Sequence, residues 1–252
     1  TEKDLKSNLL TNGIELNPTK TKRFEESGLD RVQLQFDSAD DEINVKLRGR
    51  KLKKEKLSAI YSLNRTEINL TLFMVAFQEN IQQIPNIVSL MANRVKNPMT
   101  LIISPTSPEI NSDEYQVNYL GTEPIFKEIE SCFGITKNDF IACTQFDMLI
   151  SKLMKEIGID RRSPSPCEAT TYVYSRGDLR SLNEIINLKK LTNILRNNIM
   201  ESDKLIDLKG LVKEIIKNKI IIEVKEIPFL MLNAFKIILN ALKDQKRDRN
   251  PT

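Results

Sequence analysis

The chain has 252 residues, of which 40% are hydrophobic, so it is long enough to bury a sizeable core and is unlike a disordered chain. Its 38 basic and 34 acidic residues leave a formal net charge of +4, which is too small to indicate nucleic-acid binding by itself. The absence of His excludes a Ser-His-Asp triad, a His-based zinc site and His acid–base catalysis within this chain.

Cysteine content and apolar runs bear on the compartment. The 3 Cys stand at wide spacings, which argues against a disulfide framework and for a reducing compartment. No apolar run is long enough to span a bilayer, and no signal-peptide pattern opens the sequence. We therefore expect a cytoplasmic protein. Because the sequence starts at Thr1, we also expect a processed product or a fragment.

Short apolar strands alternate with polar-faced helices in the first part of the chain. Strands are predicted at 5–10, 31–36, 68–77 and 99–104, and helices at 18–27, 51–63 and 81–95. Such an alternation with short loops indicates βαβ units and a parallel sheet. The pattern leaves open whether the sheet is part of a barrel or is doubly wound.

Polar residues follow each of these four predicted strands. Parallel α/β folds bind their ligands at the carboxyl ends of strands, so we expect a site there. The end segments are Thr11-Asn12-Gly13, Asp37-Ser38, Gln78-Glu79-Asn80 and Ser104-Pro105-Thr106.

The pattern changes after Pro105. A polar linker is predicted at 105–121, and the two Pro of 161–167 exclude a helix there. Helices are predicted at 124–132, 145–157, 188–200, 208–218 and 228–242, a β-hairpin at 170–182, and a basic tail at 243–252. We predict three parts: a partial (β/α) barrel at 1–108, an α+β extension at 109–187 and a helical region at 188–252.

Three features near the predicted strand ends have both a functional and a structural interpretation. The basic run from Arg48 to Lys56 either meets a phosphate or carboxylate at a helix N-terminus or forms a solvated helix face. Asp37 either accepts hydrogen bonds from a ribose or begins a turn or helix. Asn12 and Gly13 either let the backbone approach a ligand or form an ordinary turn.

The cysteines and an apolar C-terminal segment also have both a functional and a structural interpretation. Cys143 and Cys167 are candidate ligands for an iron–sulfur cluster or a soft metal, although their spacing matches no common signature. Cys132 is predicted to be a core residue. The segment 229–242 either buries against the core or contacts a partner, an apolar substrate or a membrane interface.

Several of these segments together resemble the radical S-adenosylmethionine (SAM) superfamily. LLTNG at 9–13, SGLDRVQLQFD at 27–37, EINVKLRGRKL at 42–52 and FQEN at 77–80 are similar to motifs of its third to fifth barrel strands. The segments 138–143 and 163–174 resemble archaeal members of the tetraether-lipid-synthase type.

The resemblance implies a partial (β/α) barrel whose [4Fe–4S] cluster cleaves SAM reductively and yields a radical that removes hydrogen from a substrate. By position, Asn12 and Gly13 would lie near SAM, Asp37 near its ribose or in the strand-end loop, Arg48 near its carboxylate and Asn80 near its adenine or ribose. Cys143 and Cys167 would ligate an auxiliary cluster. The substrate would be a small molecule or a lipid, with peripheral membrane contact left open and no nucleic-acid partner.

The sequence departs from this family at its defining feature. The CxxxCxxC loop is absent, and so is the Gly-Gly-Glu type motif. Two hypotheses follow. The chain is either a portion of a radical SAM enzyme that begins at the third barrel strand, or a catalytically inactive α/β binding module that recognises a phosphate-bearing partner. The sequence does not decide its oligomeric state.

Overall fold

The structure is a computed structural model. It describes residues 6–94, 100–106, 120–156, 169, 171, 173–175, 179–200, 214, 217 and 218. The chain divides into two compact units, Thr1–Cys132 and Phe133–Thr252. The three-part division made from the sequence stays a prediction.

A parallel sheet of four strands forms the centre of the first unit. The strands are β1 (Asn8–Thr11), β2 (Arg31–Gln35), β3 (Asn69–Ala76) and β4 (Thr100–Pro105). They pair in chain order, and Leu34, for example, lies opposite Thr11 on one side and Leu72 on the other. This order is that of a barrel, whereas the order of a doubly wound sheet reverses at a switch point. The predicted α/β class with a partial (β/α) barrel is confirmed.

Five helices accompany these strands. They are α1 (Pro18–Glu26), α2 (Asp41–Arg48), α3 (Lys53–Leu63), α4 (Ile84–Arg94), which follows a 3₁₀ turn at Ile81–Gln83, and α5 (Thr122–Phe133). Local signals set the start of α1, because Asn17 accepts a hydrogen bond from the Lys20 N–H at 2.9 Å and Pro18 occupies the first turn.

Helix α2 is missing from the sequence-based prediction. It has complete local signals: Asp40 accepts a hydrogen bond from the Glu42 N–H at 2.8 Å, Asp41 and Glu42 lie in the first turn, and Gly49 ends the helix with φ of 72°. The helix is only 8 residues long and buries only Asn44 and Leu47, so its apolar periodicity is too weak to detect.

The two faces of the sheet differ in burial. One face is buried and apolar, with Val32, Leu34, Leu70, Leu72 and Met74 at most 7% exposed. Most positions on the other face are half-buried or exposed, although Thr71 on this face is buried. The half-buried or exposed positions include Gln33, Gln35, Phe73, Val75, Leu10 and Ile102. Among the described residues, β2 and β3 are therefore buried on one face, where Leu9, Leu101 and Ile103 of the outer strands are half-buried. The opposite face is more exposed, as on the inner side of a partial barrel.

The second unit contains helices and a short hairpin. Its elements are α6 (Lys137–Glu156), β5 (Val173–Ser175), β6 (Leu179–Ser181), α7 (Leu182–Ile185) and α8 (Leu188–Met200). The two strands pair antiparallel, which confirms the predicted hairpin. Asp139 at the start of α6 accepts hydrogen bonds from the Ser181 hydroxyl at 3.0 Å and the Asn183 amide at 3.2 Å, and so fastens the hairpin and α7 to α6.

Several predicted segments lie outside the described residues. They are most of the linker at 105–121, the irregular segment at 161–167, the helix at 228–242, nearly all of the helix at 208–218, and the basic tail at 243–252. None of the helices that the structure describes is long and apolar enough to cross a membrane.

The backbone at Gly13 provides a test of the fold. Gly13 has φ of 78°, and a methyl group on its Cα would overlap the Leu34 side chain in the core. Gly13→Ala should therefore lower the free energy of unfolding by about 2–4 kcal/mol, from the positive φ together with the overlap. Urea denaturation measures this loss.

Gly28 is the matched control. Its φ is 79°, but nothing lies within 4 Å of the position that a Cβ would take. Gly28→Ala should cost only the backbone term, about 1–2 kcal/mol. Equal losses at the two sites would contradict the packing described for Gly13.

Candidate functional site

The carboxyl ends of β1, β2 and β3 bring together the candidate residues that the sequence places in the first unit. Asn12 and Gly13 follow β1, Asp37 follows β2, and Asn80 follows β3. Arg48, from the last turn of α2, joins them. The structure therefore places these residues at one edge of the sheet, as predicted.

Asp37 is the centre of this edge. Its side chain is 1% exposed. One oxygen, Oδ1, accepts a hydrogen bond from the Val75 N–H at 3.1 Å, and the other, Oδ2, accepts one from the Gln35 side-chain amide. Asp37 thereby ties the end of β2 to the end of β3.

Arg48 completes the shell around Asp37. Its Nε and Nη2 both lie 2.8 Å from Asp37 Oδ2. The Arg48 side chain is 33% exposed, so it is paired with the buried carboxylate and is still partly accessible to solvent. A guanidinium carries five N–H donors, and this arrangement leaves donors for a second anion.

Asn80 is fully buried and hydrogen-bonded within the protein. Its Oδ1 accepts a hydrogen bond from the Phe77 N–H at 2.7 Å. Its Nδ2 donates to the carbonyl of Asp37 at 3.2 Å and to that of Val75 at 2.9 Å. Asn80 therefore fixes the turn after β3 and positions Asp37. That it lies near adenine or ribose stays a prediction.

Asn12 and Gly13 form a tight turn after β1. The Asn12 side chain accepts a hydrogen bond from the Ile14 N–H at 3.1 Å, and the Gly13 N–H donates to the Thr11 hydroxyl at 3.0 Å. The Asn12 side chain is exposed, whereas Gly13 is buried. That Asn12 and Gly13 lie near SAM stays a prediction.

Lys56 is a component of this edge that the sequence analysis placed only in the basic run. The residue is 1% exposed, and its ammonium donates to the carbonyl of Asn12 at 2.8 Å. It also donates to Gln35, both to the main-chain carbonyl and, at 3.3 Å, to the side-chain Oε1. Lys56 thus joins the ends of β1 and β2.

A signal for this role exists in the sequence. Lys56 stands four residues after Leu52 and four before Ile60, and it therefore falls on the apolar stripe of α3. A lysine in that register points into the core rather than toward water.

Burial of Lys56 disfavours its charged form. Desolvation is the main cause, and it lowers the pKa of Lys56 to about 8. The positive charge of Arg48 also lowers this pKa, whereas the negative charge of Asp37 raises it. Lys56 therefore changes its charge within a pH range that is accessible to experiment.

The basic run does not form one cationic surface. Arg48 is paired with Asp37, Arg50 lies 3.5 Å from the Glu55 carboxylate, and Lys56 is buried. The N–H groups of Leu52 and Lys53 at the start of α3 both donate to Asp41 Oδ1 at 2.9 Å. The Lys53 N–H is the main cause that lowers the pKa of Asp41. A phosphate at this helix start would have to displace that carboxylate.

The two candidate metal-binding cysteines lie apart from this edge in the sequence. Cys143 is fully buried in α6 of the second unit, and its Sγ lies 3.7 Å from the Thr171 hydroxyl. Cys167 is outside the described residues. In the described part of the chain, no group of three or more Cys, Asp or Glu side chains is placed to hold a metal ion. A metal role for Cys143 and Cys167 stays a prediction.

The prediction that Cys132 is a core residue is wrong. Cys132 is exposed, and its Sγ lies 3.4 Å from the Glu128 carboxylate. The residue stands in the last turn of α5, beyond the positions Ile125 and Ile129 that this helix buries. An apolar setting in the sequence therefore did not place this thiol in the core.

Removal of the Asn80 side chain tests its positioning role. Asn80→Ala leaves three buried backbone groups without their partner, and we expect the free energy of unfolding to fall by about 2–5 kcal/mol. Gln78→Ala, an exposed position in the same turn, should change it by about 0.5 kcal/mol or less. Urea denaturation measures the free energy of unfolding of both variants. Equally small losses in the two variants would contradict the buried hydrogen-bond network of Asn80.

The pKa of Lys56 predicts a pH dependence of stability. The pKa is about 8 in the folded protein and 10.5 in a free lysine, so the unfolded chain binds more protons between these values. The free energy of unfolding should therefore rise from pH 8 to pH 10.5, by up to about 3 kcal/mol. The rise is measured relative to Lys56→Met, which lacks this group. Parallel pH profiles of the two proteins would contradict the burial of a titrating amine.

Comparisons with known proteins give partial matches. The similar solved structures include a hexahistidine-tagged anSMEcpe with bound AdoMet (16% identity, TM-score 0.42) and a native anSMEcpe with bound AdoMet and Cp18Cys peptide (15% identity, TM-score 0.45). The alignments cover 62% and 92% of this chain, and 44% and 76% of those chains. The chain thus spans less than half the length of the first. Residues 1–91 match the family model described as the Radical SAM superfamily, and this segment contains Asn12, Asp37, Arg48 and Asn80.

Proposed function

We propose that this chain is a portion of a radical SAM enzyme and that it binds SAM at the carboxyl edge of its parallel sheet. The observation that supports the proposal most directly is that the family match and the candidate site fall in the same segment. The segment that matches the Radical SAM superfamily is the one in which Asp37 holds a partly exposed Arg48 guanidinium at that edge. An α/β sheet offers its ligand site at this end.

The residues at the edge fit the polar groups of SAM. SAM carries a carboxylate, and Arg48 is partly accessible to solvent and has donors that Asp37 does not use. The exposed side chain of Asn12 and the backbone of the turn that begins at Gly13 supply further polar contacts. Asp37 and Asn80 contribute by holding this edge in place, because their side chains are engaged inside the protein.

The chain's own cysteines do not fit a [4Fe–4S] cluster that would cleave SAM. The sequence has no CxxxCxxC motif, and its three Cys are far apart in the sequence. The proposal therefore assigns the binding of SAM to this chain and the primary cluster ligands to residues outside this sequence. An auxiliary cluster on Cys143 and Cys167 is part of the proposal, and iron analysis after anaerobic reconstitution of wild type and Cys143→Ala tests it.

The reaction that we propose is hydrogen abstraction from an apolar substrate, in an archaeal-type enzyme of the cytoplasm. The support for a lipid substrate is the resemblance of 138–143 and 163–174 to tetraether-lipid-synthase-like proteins, together with the apolar composition of 229–242. Transfer of deuterium from a perdeuterated lipid into 5′-deoxyadenosine, measured by mass spectrometry on a longer enzyme that supplies the cluster ligands, tests this step. Unlabelled 5′-deoxyadenosine would contradict the lipid.

The alternative function, a binding module for a phosphate-bearing partner, has less support. It rests on the basic run, in which Arg48 and Arg50 have carboxylate partners and Lys56 is buried. Binding to a polyanion at low salt that is lost on charge reversal of Arg48, Arg50 and Lys51 would favour it.

Binding of SAM to the isolated chain tests the leading proposal. Arg48→Lys keeps a positive charge near Asp37 but removes the planar fork that can hold two carboxylates, and we expect the Kd for SAM to rise roughly tenfold or more. Isothermal titration calorimetry measures the change.

Arg50→Lys is the matched control, since Arg50 lies two residues away and is paired with Glu55 on the surface. Its Kd should stay within about twofold of the wild-type value. If SAM fails to bind the wild-type chain at millimolar concentration, or if both variants bind equally well, the proposed site is wrong.

A further inference from the structure

We propose that Lys56 is a positioning residue for the SAM site: through the side-chain amide of Gln35, it orients the Asp37 carboxylate and the Arg48 guanidinium. The inference rests on the proposed function for its link to SAM, and on the contacts of the described residues for everything else. Neither the family match nor the resemblance assigns a role to Lys56.

A continuous chain of contacts connects Lys56 to Arg48. The Lys56 ammonium donates to Gln35 Oε1 at 3.3 Å, and Gln35 Nε2 donates to Asp37 Oδ2. The same Asp37 oxygen accepts from Arg48 Nε at 2.8 Å. Charges alternate along this path: a cation, a neutral amide, an anion and a second cation.

The amide of Gln35 has one favourable orientation because of the charges at its two ends. If the amide were flipped, its oxygen would face the Asp37 carboxylate and its NH₂ group would face the Lys56 ammonium. Both contacts would then be repulsive. When Lys56 is charged, its ammonium and the Asp37 carboxylate both favour the observed orientation of the Gln35 amide. When Lys56 is neutral, only the Asp37 carboxylate does so.

The position of Lys56 is fixed by more than this one contact. Its ammonium also donates to the carbonyls of Asn12 and Gln35, and the side chain is buried. Two strand ends therefore hold the cation where the Gln35 amide can meet it. The charged groups that act on Lys56 are Asp37 from the end of β2 and Arg48 from α2.

Arg48 is the last residue in this chain of contacts. Gln35 Nε2 and the Arg48 guanidinium donate to the same oxygen of Asp37. A change in the orientation of the Gln35 amide therefore changes the strength and the geometry of the hydrogen bonds from Arg48 to that oxygen. The remaining donors of Arg48 are those that the proposed function assigns to the carboxylate of SAM. Lys56 thereby controls the geometry of a group that it does not touch.

Carbon-detected NMR of the Arg48 guanidinium tests the path without SAM. In the wild-type chain, the Arg48 Cζ and Nε shifts should change with pH, with a midpoint near the Lys56 pKa of about 8. In Lys56→Met this transition should disappear. Gln35→Leu, which keeps the carbonyl contacts of Lys56 but removes the amide, should reduce it to the part that the direct charge interaction between Lys56 and Arg48 carries. Lys54→Met, an exposed position in the same helix, should leave it intact.

Titration with SAM tests the consequence for the site. We expect Lys56→Met and Gln35→Leu each to raise the Kd for SAM roughly five- to tenfold, and the double variant no more than the larger single effect, because both interrupt one path. Lys54→Met should bind SAM as the wild type does. Additive losses would contradict a path that runs through Gln35.

The two proposals fail in different ways. If wild type does not bind SAM but the titration of the Arg48 shifts is lost in Lys56→Met and reduced in Gln35→Leu, the proposed function is wrong and the path stands. If SAM binds but the titration of the Arg48 shifts is unchanged in Gln35→Leu, the positioning role of Lys56 is overturned and the proposed function stands.

Discussion

An ionised carboxylate buried at the end of a strand needs donors from its surroundings, and Asp37 draws them from three separate elements. The Val75 N–H comes from β3, the Gln35 amide from β2 itself, and the Arg48 guanidinium from α2. Because the cost of leaving such a charge unsolvated is several kcal/mol, these elements are held in mutual register by one side chain. The edge of the sheet is therefore rigid for an electrostatic reason, and not only because of the apolar core beneath it.

Lys56 is the second buried charge. Its burial lowers the free energy of unfolding, and its contacts connect the ends of β1 and β2. Its ammonium is satisfied by oxygen atoms from the ends of β1 and β2, yet its lowered pKa records that burial still disfavours the charge. A methionine or leucine in that register of α3 would fill the core with no such penalty. The arrangement resembles a general pattern in which buried polar networks specify one arrangement at some expense in stability.

Much of the framework could be predicted from the sequence because it depends on local patterns. The apolar strand 68–77 and the helix beginning at Pro18 follow from periodicity and capping residues, and the structure places β3 and α1 there. The clustering of Asn12, Asp37 and Asn80 also follows, because parallel strands end on the same side of a sheet. Helix α2 was missed because too few apolar residues mark its buried side, although its caps are present.

The partners within the site could not be predicted in the same way. The sequence indicates a polar Asp37 and a basic Arg48, but their pairing depends on how α2 crosses the end of the sheet. Lys56 was grouped with exposed neighbours because charge runs usually face water, and only its register on α3 separates it from them. The engagement of Asn80 in three internal hydrogen bonds is a tertiary property with no local signature.

The unequal cover of the sheet has an implication for how such a protein changes over time. Substitutions on the face that carries Val32, Leu34 and Leu72 meet a closed core, so only residues of similar volume are tolerated there. Gln33, Phe73 and Ile102 lie on the opposite, more exposed face, where a new side chain has room and causes a smaller packing defect. One side of the sheet thus constrains sequence change, while the other tolerates it.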